Sequence, residues 1–150
     1  MQKGELEVED RQCLGCKLAN NKMETHIVYE NELVTCFLDH APLNEGHILI
    51  LPKQHYVDVD DLDEAAAFEI MKTSAMLAKV LKRRFQPDGI TVIQNGGIFN
   101  ELNHYHMHIF PRYESDGFAW VEPADTTNAK GRLSDTREQL MTLVSQQLSV

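Results

Sequence analysis

Three histidines occupy alternate positions, His104, His106 and His108. Their aromatic and apolar neighbours favour a β-strand, whose side chains point alternately to two faces. The imidazoles should then share one face, while the core face receives the residues between them and after them: Tyr105, Met107 and Ile109. A strand rises about 3.3 Å per residue, so His104 and His108 would lie about 13 Å apart. Zinc–nitrogen bonds are only about 2.0–2.1 Å long. One ion therefore cannot bind all three rings, and separate roles are predicted.

The composition is that of a soluble globular protein with one domain. The chain has 150 residues, of which 43% are hydrophobic and 25% charged, and such a length suits one core. No apolar run approaches the roughly 20 residues that span a bilayer, so no membrane partner is expected. The net charge of -9 argues against nucleic-acid partners. Three cysteines, an odd count, and a polar leader over residues 1–12, expected to be flexible, predict a cytoplasmic protein.

Hydrophobic periodicity predicts an α+β fold over residues 13–150. A long helix is expected from residue 60 or 61 to 84, capped by Asp61 or Asp63, because apolar residues recur there at steps of three and four. A terminal helix is expected over 134–148, after an irregular segment at 114–130. The remaining apolar runs predict about five strands in a largely antiparallel sheet. They cover 27–30, 33–38, 47–51, 90–93 and about 104–110.

The pair Cys13-x-x-Cys16 is typical of a redox site or of half a zinc site. It precedes the first predicted strand, which argues against a thioredoxin-like redox unit. A tetrahedral zinc site needs two further ligands. From the spacing alone, two reduced thiols are as good an interpretation as zinc. The candidate ligands are His26, His40, His47, His55 and the three alternate histidines.

Two further features could contact a ligand. Asn95-Gly96-Gly97 follows a predicted strand, and its glycines would let the backbone approach a bound molecule closely, although a simple turn explains them equally well. Asp39 ends another predicted strand, where a carboxylate can accept hydrogen bonds from ribose hydroxyls or can simply form a turn. His47 opens an inner strand directly after a glycine. It becomes a candidate site residue because the sequence also contains the three alternate histidines.

The run from His104 to Phe110 resembles the His-φ-His-φ-His-φ-φ signature of the histidine-triad (HIT) superfamily, where φ is an apolar residue. Further motifs follow the order of that family: Gly46-His47, Pro52-Lys53-Gln54-His55, Asn95-Gly96 and Pro111-Arg112-Tyr113. The chain is most similar to the small bacterial branch with an N-terminal Cys-x-x-Cys. The resemblance implies a homodimer with a ten-stranded sheet. It also implies chemistry at the α-phosphate of purine nucleotide conjugates, either phosphoramidates or dinucleoside polyphosphates.

The resemblance also implies roles for individual residues. His106 would be the nucleophile, while His108 and His47 would bind the phosphate and orient the nucleophile. The nucleotide would contact a further set of residues: Phe37, Asp39, His40, Ile50, Asn95 and Asn100, with Glu101 in the same stretch. A zinc ion would be held by the four residues Cys13, Cys16, His55 and His104. Closed by four protein ligands, that ion would be structural.

One position departs from the family pattern. Many relatives carry Gly-Gln-Ser/Thr-Val before the triad, with a hydroxyl that contacts the phosphate or leaving group, whereas this chain has Asn100-Glu101-Leu102-Asn103. Glu101 stands at the hydroxyl position, where a carboxylate would repel a phosphate unless protonated or turned away. The departure affects the expected leaving group and turnover. It leaves the expectation of nucleotide binding intact.

The predicted chemistry is a double displacement. A neutral His106 ring would attack phosphorus and form a nucleotidyl-histidine, which water would then hydrolyse. Its other ring nitrogen needs an acceptor that fixes the tautomer, and a backbone carbonyl near His47 is expected to serve. This scheme requires no magnesium. Two alternatives are a nucleotide-binding sensor or scaffold with little turnover, which Glu101 favours, and a metal-dependent hydrolase, which the span of the triad disfavours.

Overall fold

The computed structural model describes residues 13–150, so the predicted leader at 1–12 lies outside the described residues. Contacts divide the chain into two compact units, Met1–Gly117 and Phe118–Val150. The first unit has the predicted α+β architecture, a five-stranded antiparallel sheet with helices. The expectation of one domain over residues 13–150 stays a prediction.

From residue 13 onward, the first unit contains two α-helices and five strands. They are α1 Leu14–Ala19, β1 Ile27–Glu30, β2 Val34–Leu38, β3 Ile48–Pro52, α2 Glu64–Phe85, β4 Gly89–Gln94 and β5 Met107–Arg112. The sheet order is β1-β2-β3-β5-β4, and every neighbouring pair is antiparallel. The order places β3 beside β5, with Ile48 opposite Ile109. His47, directly before β3, therefore lies close to His108 of β5.

The long helix α2 begins directly after its N-cap residue, Asp63. The side chain of Asp63 accepts a hydrogen bond from the backbone N–H of Ala66, which satisfies one of the unpaired donors of the first turn. The residues just before it, Val59–Asp61, form a 3₁₀ turn and not the predicted first turn of the α-helix. Asp63 is therefore the cap, and of the two predicted candidates Asp61 is excluded.

The sheet has a different core on each face. The face under α2 is covered by a large apolar cluster that includes Cys36, Ile50, Tyr105, Met107 and Ile109. The opposite face carries a smaller cluster beside α1, formed by Ala19, Phe37, Leu49 and Leu51. The prediction that Tyr105, Met107 and Ile109 face the core is therefore confirmed. The smaller cluster borders the surface on which the candidate site lies.

The histidine strand begins later than predicted. β5 starts at Met107, so His104 and His106 lie in the segment before it and the predicted strand over 104–110 is wrong at its start. The backbone N–H of Tyr105 donates to the carbonyl of Tyr56 at 2.6 Å. The chain at this point is thus held by the loop after β3 and not by a sheet ladder.

The second unit consists of α3 Thr127–Gly131 and α4 Leu133–Leu148. The terminal helix agrees with the prediction for 134–148, whereas α3 lies partly inside the segment predicted to be irregular. All residues of α4 are exposed. Among the helices from residue 13 onward, none combines the length and apolar character needed to cross a membrane.

Candidate active site and metal centre

Four potential metal ligands from three separate parts of the first unit converge. Cys13 caps α1 and Cys16 lies in its first turn, His55 follows β3, and His104 precedes β5. Their ligand atoms all lie within 4.8 Å of one another. The predicted pair of cysteines therefore opens a short helix, which the sequence analysis did not anticipate. Of the histidine candidates left open by the spacing, His55 and His104 are the two that join the cysteines.

The interatomic distances fit a tetrahedral zinc site. Bonds of about 2.3 Å to sulfur and about 2.0–2.1 Å to nitrogen give tetrahedral edges of about 3.3–3.8 Å. The Sγ of Cys16 lies 3.2 Å from His55 Nδ1 and 3.4 Å from His104 Nδ1. The two Nδ1 atoms are 3.3 Å apart, and Cys13 Sγ is 3.6 Å from His104 Nδ1. Two thiols and two imidazoles at these separations are a suitable donor set for zinc.

A hydrogen bond at the other ring nitrogen, Nε2, orients His104 as a candidate metal ligand. Its Nε2 lies 2.8 Å from the carbonyl oxygen of Pro52. A carbonyl only accepts, so Nε2 carries the proton and Nδ1 presents its lone pair to the cluster. His104 is 0% exposed, which holds the ring in this orientation.

Gly15 is a functional position that the sequence analysis missed. A Cβ at Gly15 would lie 2.2 Å from the Cβ of His104, so no larger residue fits without displacing a metal ligand. The glycine inside Cys13-x-x-Cys16 was the available signal. Its contact partner, 89 positions further on, could not be read from local sequence.

The second group of histidines, His47 and His108, forms a hydrogen-bond relay in which each ring donates in one direction only. The backbone N–H of Leu43 donates to His47 Nδ1 at 3.1 Å, so the proton of a neutral His47 is on Nε2. His47 Nε2 lies 3.0 Å from His108 Nδ1 and therefore donates to it. His108 in turn carries its proton on Nε2. The carboxylate of Asp39 lies beside this pair, 3.6 Å from His47 Nε2 and 3.9 Å from His108 Nδ1.

Burial keeps both rings of this relay neutral. Desolvation, followed by the neighbouring rings of His106 and His47, lowers the pKa of His108 to about 4, against the opposing effect of Asp39. Desolvation also lowers the pKa of His47, again opposed by Asp39. At neutral pH, His108 is therefore a neutral hydrogen-bond donor.

The tautomer of His106 is fixed from within its own segment. His106 Nδ1 lies 2.9 Å from the carbonyl oxygen of His104, so Nδ1 carries the proton and Nε2 keeps a lone pair. The prediction of a backbone carbonyl as the acceptor is confirmed, but its expected location near His47 is wrong. The rings of His106 and His108 have centroids 5.0 Å apart.

His106 and His108 line an open cavity of about 410 Å³. Its other walls include Phe37, Asp39 and Leu49 from the sheet and Glu101 from the loop before β5. The cavity therefore combines an apolar wall, a ring nitrogen with a free lone pair, a neutral donor and carboxylates. Such a combination suits a ligand with a flat apolar part and a phosphate.

The HIT domain profile matches residues 20–115, a stretch that contains His55, all three triad histidines and every cavity residue named above. The chain belongs to the HIT domain family. The matched stretch ends before the second compact unit.

Relatives of this HIT protein come from several domains of life. A HIT-like protein of Methanocaldococcus jannaschii is 39% identical over 107 residues, covering 70% of this chain and 82% of the relative. The adenosine 5'-monophosphoramidase of Saccharomyces cerevisiae is 32% identical over 122 residues, covering 79% and 75%. A crystal structure of a HIT family protein from Bacillus subtilis superposes with a TM-score of 0.77 at 28% identity, covering 90% of this chain and 96% of that one.

In this HIT protein, most of the residues expected at the nucleotide site border the cavity. Phe37, Asp39, His40 and Glu101 line it. Ile50 does not: it is fully buried in the core under α2, and the expectation that it lies near a base is wrong. Leu49 takes that place, because successive strand residues point to opposite faces.

Two residues of the loop between β4 and β5 also differ from expectation. Asn95 is exposed and is not among the described residues that line the cavity. The side chain of Asn100 donates to the carbonyl of Val57 at 2.8 Å and accepts from the N–H of Leu102 at 3.1 Å. Asn100 therefore holds the loop in place, and Glu101 is the residue of this pair that borders the cavity.

Proposed function

We propose that this HIT protein is a nucleotidyl hydrolase or transferase that acts at the α-phosphate of a purine nucleotide conjugate. One observation carries the proposal: the hydrogen bond from His106 Nδ1 to the His104 carbonyl leaves the Nε2 lone pair available at a ring that lines the cavity. Family membership and the relation to a yeast adenosine 5'-monophosphoramidase support the same class of reaction.

The proposed reaction has two displacements. His106 Nε2 attacks the α-phosphorus, and the bond to the leaving amine or phosphate breaks with its electron pair, while the leaving group takes a proton from water. Water then attacks the nucleotidyl-histidine, the Nε2–phosphorus bond breaks, and a nucleoside monophosphate and a proton are released. The His104 carbonyl stabilises the positive charge that the ring carries while phosphorus is attached.

The relay beside His106 supplies a fixed donor. His108 Nε2–H donates to a non-bridging oxygen, where negative charge develops in the transition state. His47 keeps His108 in the required tautomer by donating to its Nδ1. Both rings are neutral at pH 7, so the donor is present without a change of protonation.

The remaining cavity residues hold the nucleoside. Phe37 and Leu49 offer an apolar wall to the base, and the Asp39 carboxylate accepts from the ribose hydroxyls. His40, with 98% of its side chain exposed, borders the entrance. The Cys13, Cys16, His55 and His104 set would hold zinc, which when bound would cross-link three distant segments of the chain.

Charge in the cavity favours phosphoramidates over dinucleoside polyphosphates. The described lining residues include the carboxylates of Glu24, Asp39 and Glu101 but no lysine or arginine. A polyphosphate leaving group would add several negative charges next to these acids. An amine leaving group adds none, and one with a positive charge would be attracted.

The experiment is a substrate panel assayed with the wild type and His106→Ala in parallel. The panel holds an adenosine 5'-phosphoramidate with an amine leaving group and a dinucleoside polyphosphate. Wild-type turnover with a nucleotidyl group trapped on His106 by rapid acid-free quenching supports the proposal. Near-normal turnover by His106→Ala would discard it.

A nucleotide sensor or scaffold with little turnover is the second candidate, because Glu101 lines the cavity where a carboxylate opposes a bound phosphate. The same panel separates the two functions when it is combined with a titration of adenosine 5'-monophosphate. Tight binding without turnover of any conjugate favours the sensor.

We also propose a homodimer joined through the free edge of β4. The other edge strand, β1, has an irregular register between Ile27 and Tyr29, and such irregularities disfavour edge pairing. β4 is longer and regular. Val92→Lys on this strand should therefore lower the mass measured by sedimentation from a dimer to the 17.1 kDa chain. We also propose a cytoplasmic location, because the cluster of Cys13, Cys16, His55 and His104 needs reduced cysteines to hold a metal ion.

A further inference from the structure

We propose that His104 is a positioning residue that couples the metal centre to the orientation of His106. The proposal rests on the proposed function only for the role of His106 as nucleophile. Its central observation is that one residue contributes to both sites: His104 Nδ1 belongs to the cysteine–histidine cluster, and its backbone carbonyl accepts the hydrogen bond from His106 Nδ1.

His104 is held from several directions. Its Nε2 donates to the Pro52 carbonyl at 2.8 Å, and the next residue, Tyr105, donates its N–H to the Tyr56 carbonyl at 2.6 Å. Gly15 packs directly against its Cβ. His104 is therefore held at its Nε2 and at its Cβ, and its own backbone carries the carbonyl that points at His106.

The coupling follows from this geometry. A metal ion bound to His104 Nδ1 would restrict the ring, and the restricted side chain would in turn confine the peptide whose carbonyl selects the His106 tautomer. When the cluster is stripped, weaker hydrogen bonds hold the ring, so the His104 carbonyl is less confined and His106 samples both tautomers. Linkage is reciprocal, so a nucleotide that requires one orientation of His106 must also strengthen metal binding.

The first test observes the tautomer directly. Histidine-labelled protein is examined by long-range ¹H–¹⁵N NMR in the zinc-loaded form and after removal of zinc by a chelator. His106 is expected to be protonated on Nδ1 alone in the loaded protein and to become a mixture of tautomers in the stripped protein. A single, unchanged Nδ1–H tautomer in the stripped, folded protein would overturn the coupling.

The second test perturbs His104 without removing a ligand atom. Gly15→Ala forces the His104 Cβ to move, whereas the matched control Gly89→Ala places its methyl group where nothing lies within 4 Å. In the zinc-loaded proteins, only Gly15→Ala should show a mixed His106 tautomer. This comparison also decides the matter if the stripped wild type unfolds, since a single tautomer in zinc-loaded Gly15→Ala would refute the proposal.

The third test measures the linkage. Adenosine 5'-monophosphate at saturation should tighten zinc binding at least about fivefold, a coupling at the low end of the usual range, and Gly15→Ala should reduce this factor. An unchanged zinc affinity would contradict the coupling. These readouts do not involve turnover. An inactive protein with intact coupling would therefore contradict the proposed function and leave the coupling proposal standing.

Discussion

At the scale of single residues, the site depends on which ring nitrogen carries each proton. Backbone groups decide this: the Leu43 N–H fixes His47, and the His104 carbonyl fixes His106. His108 receives its tautomer from His47. The tautomers of the proposed catalytic histidines are therefore set largely by main-chain atoms that no sequence motif specifies.

The lowered pKa of His108 predicts a pH dependence of stability. An unfolded chain binds a proton at this residue near pH 6.5, whereas the folded chain does so near pH 4. Between these values the unfolded state holds more protons, so the free energy of unfolding falls as the pH is lowered from about 6.5 to about 4. The loss attributable to His108 is at most about 3 kcal/mol.

Urea unfolding of the wild type and His108→Asn at several pH values measures this contribution. The metal ligands affect both proteins, so only the difference between the two pH profiles counts. The wild type should lose more stability than His108→Asn between neutral and acid pH. Parallel profiles would show that His108 is not kept neutral by burial.

Glu101 predicts a preference for the charge of the leaving group. Glu101→Gln should lower kcat/KM for phosphoramidates of a cationic amine and raise it for dinucleoside polyphosphates. Each change should be at most about fivefold, because Glu101 is exposed and its field is screened. Glu32 is exposed and is not among the lining residues, so Glu32→Gln is the control and should change neither value. Equal effects of the two variants would show that Glu101 does not determine selectivity for the leaving group.

At the scale of elements, periodicity located the two long helices and the five strands but neither α1 nor α3, and tertiary contacts decided where the elements end. The predicted and observed ends of β1 agree at 27–30, because Ile27 and Glu30 at its two ends both pair with β2. The histidine strand was predicted three residues too long at its start, since Tyr105 bonds to Tyr56 and not to a neighbouring strand. Ile50 was assigned to the wrong face for a related reason: the resemblance supplied a position, whereas the alternation of β3 places Leu49 at the cavity.

A buried hydroxyl joins the C-terminal end of the short helix α1 to β2. Thr35 is 0% exposed, and its Oγ1 donates to the carbonyl of Ala19, the last residue of α1, at 2.6 Å. Thr35→Val keeps the shape of the side chain but leaves that carbonyl without its donor, which should cost about 1–3 kcal/mol. Because α1 carries both cysteines, zinc should also be lost to a chelator more readily.

Thr35→Ser is the matched variant, since it keeps the hydroxyl and removes only a methyl group. Urea midpoints and the rate of zinc transfer to a coloured chelator are compared for the two proteins. Thr35→Ser should retain zinc better than Thr35→Val. If both lose it equally, packing of the methyl group and not the hydrogen bond positions the helix.

At the scale of the whole molecule, the four candidate metal ligands come from parts of the chain that local sequence cannot relate. Cys13 and His104 are separated by 91 positions, so spacing alone left several histidines open as partners. The family resemblance supplied the set Cys13, Cys16, His55 and His104, and the structure brings these four together. The resemblance carried no such information for the second unit, Phe118–Val150, which lies outside the HIT profile.

Removal of zinc should therefore destabilise the first unit as a whole. Metal present at about a hundred times its dissociation constant stabilises a protein by about 2.7 kcal/mol, so a chelator should lower the Tm. His55→Ala should have a low Tm already and respond little to the chelator. Thiol titration gives an independent readout: chelation should expose Cys13 and Cys16, while Cys36 stays unreactive because burial raises its pKa to about 12. An unchanged Tm, with less than about half an ion per purified chain, would show that these four residues hold no structural metal.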